Sequence, residues 1–127
     1  MKITCGTDII EIDRVKESIE ELGEKFIKRV FTDKEIEYCE SRKGQKYQHY
    51  AGRFAAKEAA FKAISKILDN KYSVCWKDFE IIDDEQGRPY LNLYNVNTKD
   101  IESIDISISH CKLYATANVM ILFNDYN

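Results

Sequence analysis

Two acidic side chains stand in surroundings where an acid is unusual. Glu58 is a single acid within a stretch rich in basic residues, and Asp8 is the one acid in a mostly apolar segment near the start of the chain. Magnesium typically binds one or two carboxylates and completes its octahedron with water and substrate phosphates. The basic side chains of Arg53, Lys57 and Lys62 lie near Glu58 in sequence and would suit those phosphates. The pattern favours magnesium-assisted chemistry on a phosphate compound.

Each acid also has a purely structural interpretation. Glu58 precedes Lys62 by four residues, which is the favourable order for an ion pair on one helix. It also shares a helix face with Phe54 and Phe61, which we expect to be buried. A buried carboxylate is costly unless it is paired or binds a metal. Asp8 could hydrogen-bond a turn or cap a helix. Spacing alone leaves both interpretations open.

The remaining side chains with catalytic potential lack recognisable partners. His110 is one of two histidines, and a histidine at the end of a strand is more often structural than catalytic. There is no recognisable Ser-His-Asp set, Cys-His set, P-loop or GxGxxG motif. The four cysteines are far apart, so no CxxC pair exists, and we expect buried or unreactive thiols. They are Cys5, Cys39, Cys75 and Cys111.

Helical patterns that could hold these residues fill the first half of the chain. Residues 3–10 alternate as a strand does, and residues 13–30 have helical spacing with a break at Gly23. Thr32 and Glu35 form a capping box that opens a short helix to about residue 40. The longest predicted helix covers residues 45–68. Another element could pack closely on its small residues Ala55, Ala56, Ala59, Ala60 and Ala63.

After residue 70 the apolar period changes to two. Residues 79–82 and 90–93 are predicted to form one hairpin, and residues 104–123 a second that turns near Cys111 and Lys112. Helices followed by hairpins indicate an α+β fold, with an antiparallel sheet packed on a long central helix. A length of 127 residues suits one domain, which we place at 1–127.

Composition narrows the class of protein. No apolar run approaches the length that spans a bilayer, and Asp8 stands where a signal peptide needs its apolar stretch. We therefore expect a cytoplasmic protein that does not bind a membrane. The net charge of −3 argues against nucleic acid as the main partner.

Taken together, these residues resemble the holo-acyl-carrier-protein synthases, the short type of phosphopantetheinyl transferase. Four sequence blocks carry the resemblance, in the family's order and over nearly the whole chain. They are residues 6–12 (GTDIIEI), residues 51–62 (AGRFAAKEAAFK), residues 84–89 (DEQGRP) and residues 107–110 (SISH), the last followed by residues 114–117 (YATA).

The resemblance implies a fold, an activity and a set of ligands. The fold would be that of the 4'-phosphopantetheinyl transferases. The activity would be magnesium-dependent transfer of 4'-phosphopantetheine from coenzyme A to a serine of apo acyl carrier protein, releasing 3',5'-ADP, a step that serves fatty acid and lipid biosynthesis. Members of the short type form homotrimers with active sites between subunits.

The resemblance also implies residue roles. Asp8 and Glu58 would hold Mg²⁺, Lys62 would contact the phosphates, and Glu58 would take the serine proton directly or through a water. The nucleotide part of coenzyme A would be bound by Arg53, Gly87, Arg88, Pro89 and His110. An acidic carrier would dock on Arg14, Lys25, Lys28 and Arg29.

Two features depart from the family's pattern. The family usually has a Gly-Thr-Gly loop after the central helix, whereas residues 63–70 contain no glycine. The basic residues of the first helices are interleaved with glutamates. An alternative is therefore a non-catalytic relative that binds coenzyme A or a carrier protein. A further alternative is a magnesium-dependent phosphohydrolase that uses the same carboxylates.

Overall fold

Four helices occupy the first half of the chain, and the strand that precedes them belongs to a sheet completed near the end. The structure is a computed structural model that describes residues 1–68, 70 and 72–124. Strand β1 covers Lys2–Glu11 and leads directly into α1, Ile12–Leu22. Helix α2 covers Glu24–Val30, α3 covers Asp33–Ser41, and α4 covers Lys46–Ile64. The predicted order of elements is confirmed.

The predicted helix boundaries agree with the observed caps. Gly23 separates α1 from α2 at a φ of 60°, a conformation that glycine adopts readily. At the start of α3 the Thr32 amide donates to Glu35 Oε1 over 2.9 Å, and the Glu35 amide donates to Thr32 Oγ1 over 3.4 Å. These reciprocal bonds are the predicted capping box.

Helix α4 is shorter than the prediction of residues 45–68. It ends at Ile64 and continues as a tighter 3-10 turn over Ser65–Ile67, while a second 3-10 turn over Lys43–Gln45 precedes it. The Ser65 hydroxyl donates to the Lys62 carbonyl over 3.0 Å, a local bond that competes with the regular helical ladder. Part of the segment without glycine, residue 69, lies outside the described residues.

The strands form two antiparallel sheets, whereas the sequence predicted one. Strands β4, Ile101–His110, and β5, Tyr114–Phe123, make the second predicted hairpin, and β1 pairs with the other edge of β5. Strands β2, Phe79–Asp83, and β3, Pro89–Leu93, make a separate two-stranded sheet. Strand β3 lies against β4 without joining its hydrogen-bond ladder. The α+β class with an antiparallel sheet on a central helix is confirmed.

Helix α4 packs closely on the inner face of the three-stranded sheet. All six of its alanines are fully buried: Ala51, Ala55, Ala56, Ala59, Ala60 and Ala63. A Cβ atom on Gly6 of β1 would lie 1.9 Å from the carbonyl oxygen of Ala59. The Thr4 hydroxyl donates to the Ala63 carbonyl over 2.7 Å. Small residues on both elements therefore set the distance between β1 and α4.

The outer face of the three-stranded sheet carries apolar side chains without a covering element in the described part of the chain. Ile3 and Ile9 of β1 and Met120 of β5 are each more than half exposed. Cys5 lies between the two isoleucines on the same face and is also exposed. No helix among the described residues is long and apolar enough to cross a membrane.

Candidate functional site

The crossing of β1 and α4 brings the two predicted acids to one cavity. Asp8 lies near the end of β1 opposite Ala117 of β5, and Glu58 lies in the second half of α4. Both side chains line a cavity of about 310 Å³, whose other lining residues include Arg14 and Phe54. The pair is therefore close enough to act on one ligand.

Lys62 also lies at this site, where it pairs with Asp8 and not with Glu58. Its ammonium donates to the Thr7 carbonyl over 2.9 Å and lies 3.4 Å from Asp8 Oδ1. No hydrogen bond or ion pair joins Glu58 to another side chain in the part of the chain that the structure describes. The interpretation of Glu58 as the partner of Lys62 in an ordinary helical ion pair is therefore wrong.

The electrostatic surroundings of Glu58 suit a cation. Partial burial raises the pKa of this carboxyl, the charge of Asp8 raises it further, and Lys62 opposes the increase. A cation between the two carboxylates would relieve their repulsion. Within residues 1–68, 70 and 72–124 there is no group of three or more histidine, cysteine or acidic side chains arranged for a metal. A pair of carboxylates fits magnesium, which takes its remaining ligands from water and phosphates.

A second cavity lies on another side of Glu58. Its volume is about 440 Å³, and most of its lining is apolar. The lining residues are Lys57, Glu58, Phe61, Tyr72, Val74, Cys75, Trp76 and Phe79. Glu58 thus borders both of these cavities. No sequence pattern indicated the second cavity, because its wall from residue 72 to 76 lacks the spacing of a helix or a strand.

Arg53 and His110 belong to another group of side chains. Arg53 is buried, with its Nη2 atom 3.6 Å from Asp83 Oδ1 and its guanidinium 4.1 Å from the centre of the Tyr38 ring. Among described residues its Nε atom has no hydrogen-bond partner. The ring of His49 lies 5.3 Å from the Tyr38 ring and 5.7 Å from that of His110. Burial lowers the pKa of His49, as do the nearby charges of Arg53 and His110.

The Gly87-Arg88-Pro89 turn connects β2 to β3. Asp84 Oδ1 accepts hydrogen bonds from the amides of Gln86 and Arg88, over 2.8 and 2.9 Å, and Gly87 adopts a φ of 78°. Neither this turn, nor Arg53, nor His110 lines the described cavities that Glu58 borders. Within one chain, the structure brings together only part of the predicted site, namely Asp8, Glu58 and Lys62.

The prediction that Lys57 binds phosphates is wrong. Its side chain is fully buried, and its ammonium lies 2.7 Å from Glu35 Oε1. Its two remaining hydrogen bonds go to the carbonyl oxygens of Trp76 and Phe79. Glu35 was foreseen only as a capping residue, because no local pattern indicates a partner on a distant helix.

The four basic residues predicted to dock a carrier differ in their distance from the site. Arg14 borders the Asp8 cavity and also a neighbouring groove lined by Glu17, Ser18 and Glu21. The other three residues, Lys25, Lys28 and Arg29, are exposed on α2. Lys28 pairs with Glu24 at 3.6 Å, and both side chains are largely exposed. Only Arg14 therefore lies beside the candidate site.

Of the four thiols predicted to be buried or unreactive, one is buried. Cys39 is fully buried, and burial raises its pKa to about 12. Cys5, Cys75 and Cys111 are exposed. The pKa of Cys111 is lowered by hydrogen bonds from the backbone, first from Leu113 and then from Tyr114.

Comparisons with known proteins agree with the architecture. The model of the 4'-phosphopantetheinyl transferase superfamily matches residues 4–119. The holo-[acyl-carrier-protein] synthase of Ruminiclostridium cellulolyticum is 45% identical, over 98% of this chain and 96% of that protein. The holo-[acyl-carrier-protein] synthase of Protochlamydia amoebophila is 44% identical, over 92% of this chain and 95% of that protein.

Solved structures show the same likeness. The ACPS–CoA complex from Chronobacterium ammoniagenes superposes with a TM-score of 0.83 at 28% identity, covering 98% of this chain and 100% of that one. The Bacillus anthracis holo-(acyl-carrier-protein) synthase in complex with CoA (3',5'-ADP) gives a TM-score of 0.77 at 32% identity, with 96% of each chain covered.

Proposed function

The chain belongs to the 4'-phosphopantetheinyl transferase superfamily, and from that membership we propose that it is a holo-[acyl-carrier-protein] synthase. It transfers the 4'-phosphopantetheine group of coenzyme A to a serine of apo acyl carrier protein and releases 3',5'-ADP. The observation that carries this proposal within the site is the shared cavity of Asp8 and Glu58, with Lys62 beside Asp8.

Each residue of this group has a distinct part in the transfer. Asp8 and Glu58 would hold Mg²⁺, which when bound polarises the pyrophosphate and stabilises the charge on the leaving group. Glu58 takes the proton of the attacking serine, directly or through a water. The Thr7 carbonyl and Asp8 fix the Lys62 ammonium beside the carboxylates, where its charge attracts the phosphates.

We propose that the nucleotide part of coenzyme A contacts Arg53, Gly87, Arg88, Pro89 and His110 of a neighbouring subunit. These residues lie apart from the Asp8 cavity within one chain, so an intersubunit site would bring both groups to one ligand. The assembly that we propose is a homotrimer, as the resemblance to the short-type enzymes implies. The uncovered apolar face formed by Ile3, Ile9 and Met120 supports a contact between chains, because exposed apolar patches mark interaction surfaces.

The carrier protein would dock on the side of α1 and α2. Arg14 lies beside the carboxylates, and Lys25, Lys28 and Arg29 extend the basic surface along α2. We place the protein in the cytoplasm, as one domain over 1–127 acting in fatty acid and lipid biosynthesis. We propose that neither nucleic acid nor a membrane is a partner, and the net charge of −3 supports this for nucleic acid.

The deciding experiment is mass spectrometry of a serine-bearing apo carrier protein incubated with this protein, coenzyme A and magnesium. We expect the carrier to gain the mass of phosphopantetheine, and omission of magnesium to abolish the gain. Coenzyme A binding without that gain would instead identify a non-catalytic relative, an alternative favoured by the absence of glycine from residues 63–70. Hydrolysis of coenzyme A without a carrier would identify a phosphohydrolase.

A further inference from the structure

Next to Glu58, the structure contains an ion pair that is entirely removed from solvent. The side chains of Lys57 and Glu35 are both fully buried. The Lys57 ammonium donates to Glu35 and to the carbonyls of Trp76 and Phe79, which uses all three of its donors. Glu35 also accepts hydrogen bonds from the Thr32 amide and from a β2 amide, each over 2.9 Å.

Stability alone does not account for this pair. Two charges lose their hydration when they are buried, and replacing such a pair by uncharged side chains of similar volume is often neutral or stabilising. Burial lowers the pKa of Lys57 and Glu35 opposes this change, so the charged ammonium is held here at a cost that its partner only offsets. A better account comes from the three elements that the pair connects: the start of α3, the middle of α4 and the segment 76–81.

This segment forms one wall of the larger cavity beside Glu58. Trp76 and Phe79, whose carbonyl oxygens accept from Lys57, both line that cavity. The Trp76 ring also stacks on Phe54, with ring centres 5.0 Å apart and planes at 27°. Phe54 lines the cavity that contains Asp8. The position of Trp76 therefore affects the shape of both cavities at Glu58.

We propose that the Lys57–Glu35 pair is a positioning device for the transfer reaction, which holds the 76–79 wall against α4 and so sets the width of the cavity beside Glu58. This inference rests on the proposed function. Neither residue contacts the reacting atoms: Lys57 acts through Trp76 and Phe79, and Glu35 acts through Lys57.

The test replaces both charges at once, because removal of one partner leaves the other buried and unpaired. In the double variant Lys57→Met/Glu35→Gln, glutamine can still complete the capping box with Thr32. We expect a folded protein whose kcat/KM for coenzyme A falls about 100-fold, the size of effect that a small misplacement of reacting groups produces. The KM for the carrier protein should change little.

The control is a matched pair on the same two helices. Lys46 of α4 and Glu40 of α3 lie 3.5 Å apart but are partly exposed, and Lys46→Met/Glu40→Gln should leave kcat/KM unchanged. A folded Lys57→Met/Glu35→Gln variant with wild-type kcat/KM for coenzyme A would overturn the proposal. If that variant does not fold, Lys57→Arg keeps the charge but changes the reach of the donors, and wild-type kinetics for it would overturn the proposal equally.

Calorimetry separates this inference from the proposed function. If the wild-type protein modifies no carrier, the proposed function is wrong. The affinity of each variant for coenzyme A, measured by calorimetry, still shows whether the buried pair maintains the width of the cavity beside Glu58. Weaker coenzyme A binding by the buried-pair variant than by the Lys46/Glu40 control then supports the positioning role, and equal affinity of the two contradicts it.

Discussion

Glu58 is a half-buried carboxylate that interacts with two charges, those of Asp8 and of Lys62, and Lys62 is already paired with Asp8. Two purely structural carboxylates would each need a partner of their own. Asp8 has one in Lys62, whereas the Glu58 carboxylate makes no hydrogen bond or ion pair with any other described residue. Its raised pKa indicates that the free carboxylate is held at a cost, which a shared cation would offset.

Substitution of Glu58 by glutamine separates a metal ligand from a structural residue. Glu58→Gln keeps the shape but removes the charge, so turnover should fall by about 100-fold or more while the protein stays folded. Asp8→Asn should have the same effect. The double variant should be little worse than either single variant, because each substitution alone already removes the shared metal site. Glu20→Gln, at an exposed position of α1, is the control. Near-normal turnover of Glu58→Gln at saturating magnesium would contradict the assignment.

His49 should make the stability of the protein depend on mild acidity. Burial, Arg53 and His110 lower its pKa in the folded state. The unfolded chain therefore binds a proton at His49 below about pH 6.5, while the folded chain does not, and stability is lost as the pH falls from there towards the folded pKa. In His49→Gln this loss should shrink. The measurement is the thermal unfolding midpoint at pH 7.5 and pH 5.5, and identical pH dependence in both proteins would contradict the prediction.

At the scale of elements, the packing of α4 on β1 depends on the absence of a side chain at Gly6. A Cβ atom there would lie 1.9 Å from a backbone oxygen of α4, which cannot move as a flexible side chain could. Gly6→Ala should therefore destabilise the fold by about 3 kcal/mol, at the upper end for overpacking, and should impair activity because Asp8 lies two residues away. Gly44→Ala meets no atom within 4 Å and should unfold like the wild type. Chemical denaturation of both variants gives the comparison.

The sequence predicted the elements well because their signals are local. Residues close together in sequence determine the capping box at Thr32 and the break at Gly23. Each hairpin likewise pairs two strands that follow one another along the chain. The division into two sheets and the burial of Lys57 depend on contacts between distant segments, which periodicity does not encode. The same limit applies to the site, where residue types indicated Asp8 and Glu58 but not the cavity wall at Trp76.

For the whole molecule, the uncovered face of the sheet provides a direct test of assembly. Cys5 lies on that face, so it should react slowly with a thiol reagent in a trimer and faster on dilution. Cys111 lies beyond β4 with a lowered pKa and should react quickly at every concentration, while the buried Cys39 should not react. Labelling sites are read by mass spectrometry. Rapid labelling of Cys5 in a protein that light scattering shows to be a trimer would place the interface elsewhere.

The basic side chains on α1 and α2 should control the rate at which an acidic carrier protein associates. Arg14→Glu should raise the KM for the carrier and flatten its dependence on salt. Lys28→Glu should have a smaller effect, since Lys28 is already paired with Glu24 and lies farther along the surface. Lys99→Glu, at an exposed position before β4, is the control. Unchanged carrier kinetics in both Arg14→Glu and Lys28→Glu would move the docking surface elsewhere.

The separation of Arg53 and His110 from the Asp8 cavity within one chain has a consequence for the amount of protein a cell needs. If each site takes residues from two chains, the number of working sites follows the concentration of assembled chains and not the number of chains made. At low abundance, halving the protein would then remove more than half of the activity. Expression level would act as a threshold on carrier modification rather than as a proportional control.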